Sequence, residues 1–243
     1  MFRTLQRPDV LFVTLAAAGI LMVTMGIRQS FGLYLAPMDQ ATGLGVATLS
    51  FALAVGQFTW GAIQPVAGAV ADRYGPRPVL MAALIVLAIG CAVTPFVHSG
   101  FGMALTIGLL ASMGSGAGSF SVLIGAATQR LPVESRGEAS GVINAGGSFG
   151  QFIFAPITQK LIQTIGWMGS LWAMAIIALA TLPLVGKLTS HTAAPHHQAE
   201  GDKGLGHAVV TAMKDPSYLL LHAGFFTCGF HIAFLVTHLP GEV

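Results

Sequence analysis

The chain is poor in charge. Lys and Arg number 11 and Asp and Glu 9 among 243 residues, 8% of the whole, against roughly 25% in an average soluble protein. So few ionised side chains cannot cover a water-facing surface, and a soluble globular fold is excluded. Cysteine is scarce too. Cys91 and Cys228 both sit inside apolar runs, which gives neither a disulfide framework nor a paired thiolate metal motif. There is no basic tract, and a net charge of +2 with a pI near 8.7 is too mild for a nucleic-acid partner. No GxxxxGK[ST] loop occurs, so ATP-driven chemistry is not indicated. No convincing small-x-small cleavage site follows the first apolar stretch, which therefore reads as a retained span and not as a signal peptide.

What the chain has is apolar length. Hydrophobic residues make up 54% and glycines number 31, with a mean hydropathy of +0.75. This composition predicts an all-α, polytopic membrane bundle whose helices approach closely at small residues. A span needs about 20 apolar residues. Uncharged or nearly uncharged runs place seven, near 10–37, 46–71, 79–97, 100–128, 139–161, 167–186 and 217–239. Residues 1–186 form a six-span unit. Residues 187–216, polar and containing His191, His196, His197 and His207, read as a cytoplasmic linker, part of which (205–214) suits a short surface helix. Residues 217–243 hold the seventh span. With the N-terminus inside, the inner segments carry Arg3, Arg7, Arg73, Arg77, Arg130, Arg136, Lys187, Lys203 and Lys214, and the outer ones only Lys160. The positive-inside bias thus predicts a cytoplasmic N-terminus and, after seven spans, an outer C-terminus in the cell membrane.

Several polar groups interrupt the spans. Arg28 is the most costly, at about 2.5–3.5 kcal/mol on insertion scales, and its donor fork suits a carboxylate. It faces a polar cavity, or it snorkels outward or pairs with Asp39. Gln57, Gln64, Asn144, Gln151 and His231 are candidates for the lining of the same cavity, with interhelical bonding as the alternative. His231 adds a site for a proton. Gly114-x3-Gly118, Gly137-x3-Gly141 and Gly146-x3-Gly150 read as helix-packing sets. The histidines of the linker have irregular spacing and no intramembrane carboxylates beside them, so neither a metal nor a cofactor is expected. Ser50 with Gly56-Gln57-Phe58 and Pro65, and Ser140 with Gly150-Gln151-Phe152 and Pro156, echo each other at the second place in consecutive groups of three spans. Such an echo suits a repeated three-helix unit, with chance similarity among Gly-rich helices as the alternative.

Between the second and third spans stands Gly68-Ala69-Val70-Ala71-Asp72-Arg73-Tyr74-Gly75-Pro76-Arg77. This segment resembles the signature loop of the major facilitator superfamily, G-x-x-x-D-R/K-x-G-R/K-R, with Gly68, Asp72, Arg73, Gly75 and Arg77 in place. Gly68 would allow close backbone approach, Asp72 would accept from a helix N-terminus, and Arg73 and Arg77 would reach carboxylates such as Glu134 and Glu138. Gly26-Ile27-Arg28-Gln29-Ser30-Phe31-Gly32, Trp60-Gly61, Gln64-Pro65, Gly146-Gly147 with Gly150-Gln151, and His238-Leu239-Pro240 resemble the oxalate/formate and monocarboxylate branch. A Gly-Pro pair in span five and a basic residue in span four, found in proton-coupled and antiporting members, are not matched.

The resemblance implies a half of two inverted three-helix repeats plus one further span, with the signature loop latching two six-helix halves. It also implies secondary transport of a small organic anion, monocarboxylate or dicarboxylate, with protons as a candidate co-substrate and the lipid bilayer as surroundings. Such a carrier needs about twelve spans. The chain is therefore expected to be a truncated sequence lacking most of its second half, its intramolecular partner, and to be incapable of coupled transport alone. Two other readings are a non-transporting remnant and an intramembrane hydrolase using Ser115 with His222 or His231, for which no G-x-S-x-G elbow is present.

Overall fold

The computed structural model describes residues 7–189, 210–211 and 213–238. The linker histidines, the surface helix considered for 205–214 except for a few of its residues, and Leu239-Pro240 lie outside the described residues. The chain falls into two units, Met1–Ala194 and Pro195–Val243. Among the described residues every regular element is helical.

In the first unit, α1 (Pro8–Gln29) opens with proline in its first turn, where no amide donor is missed. Ser30 Oγ donates to the Gly26 carbonyl at 2.8 Å, and the chain tightens into a 3-10 segment, Ser30–Tyr34, before α2 (Leu35–Thr42). Gly43, at φ 66°, ends the run. α3 (Val46–Tyr74) and α4 (Pro76–Val93) are separated by one residue, Gly75. Its φ of 86° is open only to glycine without strain, and Pro76 starts the next helix. After a 3-10 turn at Thr94–Phe96, the fourth stretch is segmented: α5 (Gly100–Met103), a π-helix (Ala104–Ala111), α6 (Ser112–Ala117) and α7 (Phe120–Thr128). α8 (Val133–Ala180) and α9 (Leu182–Thr189) complete the unit. Lys187, Leu188 and Thr189, assigned to the linker on composition, instead continue α9, whose carbonyls find a cap described below.

Five stretches are long and apolar enough to cross a bilayer among the described residues: Pro8–Thr42, Val46–Tyr74, Pro76–Phe96, Gly100–Thr128 and Val133–Thr189. The last has 57 residues, over twice what one crossing needs. It divides at Gly166, where φ 75° and ψ 169° leave the helical region.

Small residues set the closest helix approaches. A Cβ on Gly146 would lie 2.8 Å from the Ala18 carbonyl, and one on Gly150 would overlap the Met22 backbone, so α1 seats directly on the first half of α8. Gly108 meets the Ala52 carbonyl at 2.8 Å in the same sense, joining the π segment to α3, while Gly114 abuts the Leu87 amide of α4. Gly137 and Gly141, expected to pack, have nothing within 4 Å of such a Cβ. Both lie on the exposed face of α8, opposite Ser135, Ala139 and Ile143, which are buried in the core. The closest pairs are thus α1 with α8 and α3 with the π–α6 segment, while α4 meets the second half of α8, where Trp172 Nε1 donates to the Ala92 carbonyl at 3.2 Å. Exchanging the first three stretches with the next three maps each of these pairs onto another or onto itself. Tyr34 and Ser170, both buried, satisfy each other through hydroxyls 2.7 Å apart.

The second unit contains α10 (Pro216–His238), 23 residues long, with Asp215 Oδ1 accepting from the Ser217 amide at 2.8 Å.

Candidate functional site

Arg28 lies in the last turn of α1, half-buried among helices. Its Nη2 donates to Gln57 Oε1 of α3, and its Cζ sits 4.0 Å from the centroid of the Trp60 ring. Gln57 and Trp60 are three apart on α3 and therefore share a face. Gly56 brings that face inward: a Cβ there would lie 2.6 Å from Ser112 Oγ. Gly116 of α6 likewise admits the Trp60 carbonyl, 2.7 Å from where its Cβ would stand. The guanidinium is thus gripped by an amide oxygen on its edge and an indole on its face. No described carboxylate pairs with it. Asp39, the alternative partner, has Oδ1 engaged by the Gly45 amide at 2.8 Å, which stabilises the turn after α2 instead.

Of the other cavity candidates, Gln64 and Gln151 are half-buried and Asn144 is exposed, with no hydrogen bond from their side chains to a described residue. His231 is exposed on α10, in the second unit. The structure therefore joins Arg28 to Gln57 and adds Trp60, whose role the sequence reading missed; the i, i+3 spacing from Gln57 was the available signal. Trp60 Nε1 is buried without a hydrogen-bond partner, so the site keeps an unused donor beside the guanidinium. The two echoed triplets behave alike. Gly56 and Gly150 are buried against a neighbouring helix, and Phe58 and Phe152 project outward at 78% and 76% exposure.

The signature loop lies at the α3–α4 turn. Asp72, Arg73 and Arg77 are exposed. Arg73 lies 5.4 Å over the ring of Tyr74. Gly68 has open space on its Cβ side, so no close approach explains it here; the conformational demand falls on Gly75. Ser115, the nucleophile of the hydrolase reading, donates its hydroxyl to the Ser112 carbonyl at 3.0 Å within its own helix. No cluster of three metal-ligating side chains occurs among the described residues.

The chain is 30% identical over 157 residues to Monocarboxylate transporter 13 of Rattus norvegicus, covering 65% of this chain and 36% of that protein. The Bos taurus protein of the same name is 28% identical, covering 89% and 51%. The Oxalate:formate antiporter of Oxalobacter formigenes is 24% identical, covering 93% and 54%. The chain thus spans between about a third and a half of the length of these relatives. The model of the Major Facilitator Superfamily matches residues 11–241, and with apolar helices throughout and the signature loop at its turn, this multi-pass membrane chain belongs to that family of transporters.

Proposed function

We propose that this chain supplies six spans and a seventh of a secondary carrier that moves small organic anions, of mono- or dicarboxylate type, by alternating access. The observation that carries the reading is Arg28: a guanidinium within a span, oriented by Gln57 and Trp60, with no described carboxylate to neutralise it. An anion bound there recovers part of the cost of keeping that charge out of water. The names of the relatives, monocarboxylate transporters and an oxalate:formate antiporter, support the same class of cargo. In such a carrier Gln64, Asn144, Gln151 and His231 line the path, and a second group of spans closes its other wall. Asp72, Arg73 and Arg77 hold the inner face shut. The positive-inside bias supports a cytoplasmic N-terminus, an outer C-terminus and residence in the inner membrane.

The test is anion binding by purified protein, measured by equilibrium dialysis with labelled lactate, formate and oxalate, together with uptake into liposomes under a proton gradient. Binding of at least one anion should fall about tenfold or more in Arg28→Gln, the loss of a charge-assisted pair. Equal binding by wild type and variant would remove Arg28 from the site. Saturable uptake above empty liposomes supports the carrier. Binding without uptake supports a second reading, a non-transporting remnant of such a carrier.

A further inference from the structure

A cavity of about 580 Å³ opens between α3 and α4, floored by α6. Gly114 and Gly116 create it, because each lets one of those two helices sit down onto α6, while Gly114, Ala117 and Met113 leave the floor shallow. Its walls are apolar, from Ile63 to Tyr74 on α3 and from Pro78 to Val86 on α4. At 1.5 Å per residue the α3 wall is about 16 Å long, which is the depth of one leaflet of a hydrocarbon core about 30 Å thick. The volume falls in the range of about 300–1,000 Å³ typical of ligand sites, and Val66 and Tyr74 remain half or more exposed along it. The charge at its mouth is asymmetric. Tyr74 and Pro78, the lining residues at the turn, stand beside Arg73 and Arg77, both exposed and neither ion-paired with a described residue. Asp72 adjoins them, so two guanidinium groups face one carboxylate.

We propose that this crevice is a binding site for an anionic phospholipid of the leaflet on the side of the α3–α4 turn, one acyl chain lying along α3 and α4 and the phosphate held by Arg73 and Arg77. An acyl chain matches a wall that is apolar, narrow and one leaflet deep. A phosphate matches a pair of guanidinium donors at the depth where headgroups lie. The site is separate from the Arg28 cluster, and its Arg73 and Arg77 are the same side chains proposed above to hold the inner face shut.

Native mass spectrometry of the purified, delipidated chain tests this. Phosphatidylglycerol and phosphatidylcholine of identical acyl chains are added in competition, and the lipid retained on gentle activation is counted. Phosphatidylglycerol should be retained at least about fivefold over phosphatidylcholine, and added salt should narrow the ratio. The Arg73→Gln/Arg77→Gln variant should abolish the preference. Ala82→Trp, which fills the crevice and leaves both arginines, should lower retention of either lipid. Equal retention of the two lipids by wild type would overturn the proposal without recourse to any variant. So would displacement of phosphatidylglycerol by inorganic phosphate, which would show a headgroup site without a chain site. Exclusion of both lipids by a second protein copy seated on the crevice would overturn it as well.

Discussion

At the scale of single residues, contact geometry separates side chains that look alike in sequence. Gly141 and Gly150 are both small residues of one helix, in sets of the same spacing, yet a methyl group is free at the first and overlaps α1 at the second. We expect Gly150→Ala to lower the unfolding midpoint in detergent, at a cost of about 1–3 kcal/mol for forcing packed backbones apart. Gly141→Ala should leave it unchanged or raise it, since alanine is up to about 1 kcal/mol better than glycine in a helix. Trp60 gives a second contrast. Its ring holds the Arg28 guanidinium, an arrangement worth about 0.5–2 kcal/mol, so Trp60→Leu should weaken anion binding by about two- to thirtyfold. Trp60→Phe, which keeps a ring face, should fall between. Equal affinities for Trp60→Leu and wild type would show that the indole does not position the charge. The cost of Arg28 in lipid was legible in the sequence because it depends on residue type alone. Trp60 was not, because a tryptophan in a span is equally at home against lipid, and only the approach of α1 to α3 brings it to Arg28.

At the scale of elements, punctuation was readable where one residue decides it. Gly75 and Gly166 both take positive φ, and each ends a helix at a place where charge or polarity already implied a turn. The π-helix at Ala104–Ala111 was hidden. Its sequence is uniformly apolar, and α and π backbones differ there only in which carbonyl each amide reaches. The end of α9 was hidden for another reason: Arg130 Nη1, 57 and 58 residues away in sequence, donates to the Lys187 and Leu188 carbonyls at 2.8 and 2.9 Å. A cation bonded to the last carbonyls of a helix satisfies acceptors that the helix cannot and complements its dipole. Arg130→Gln should therefore fray α9, seen as faster amide hydrogen exchange over 185–189 with little change in α1. Unaltered protection there would show that packing alone holds the helix end.

At the scale of the whole molecule, the membrane class follows from composition, whereas the distribution of coverage does not. Of the bilayer-length stretches, α3 is the least buried and Pro8–Thr42 the most, a ranking that sequence cannot give because both are apolar all round. The proposed orientation has a direct check at this scale. In a Cys91→Ala/Cys228→Ala background, Arg77→Cys should resist a membrane-impermeant maleimide in intact cells and react after permeabilisation, while His98→Cys should react in intact cells. The reverse pattern would invert the chain. The π-helix has a consequence that reaches this scale as well. A π turn holds one residue more than an α turn, so it acts as slack in the angular phase of the fourth stretch. Deleting one residue between Ala104 and Ala111 would take up that slack, turning whatever follows by about 100° about the helix axis relative to what precedes it. Gly114 would then swing off α4 and Gly116 off α3. The extra residue is a phase adjuster that lets one helix face two different neighbours along its length.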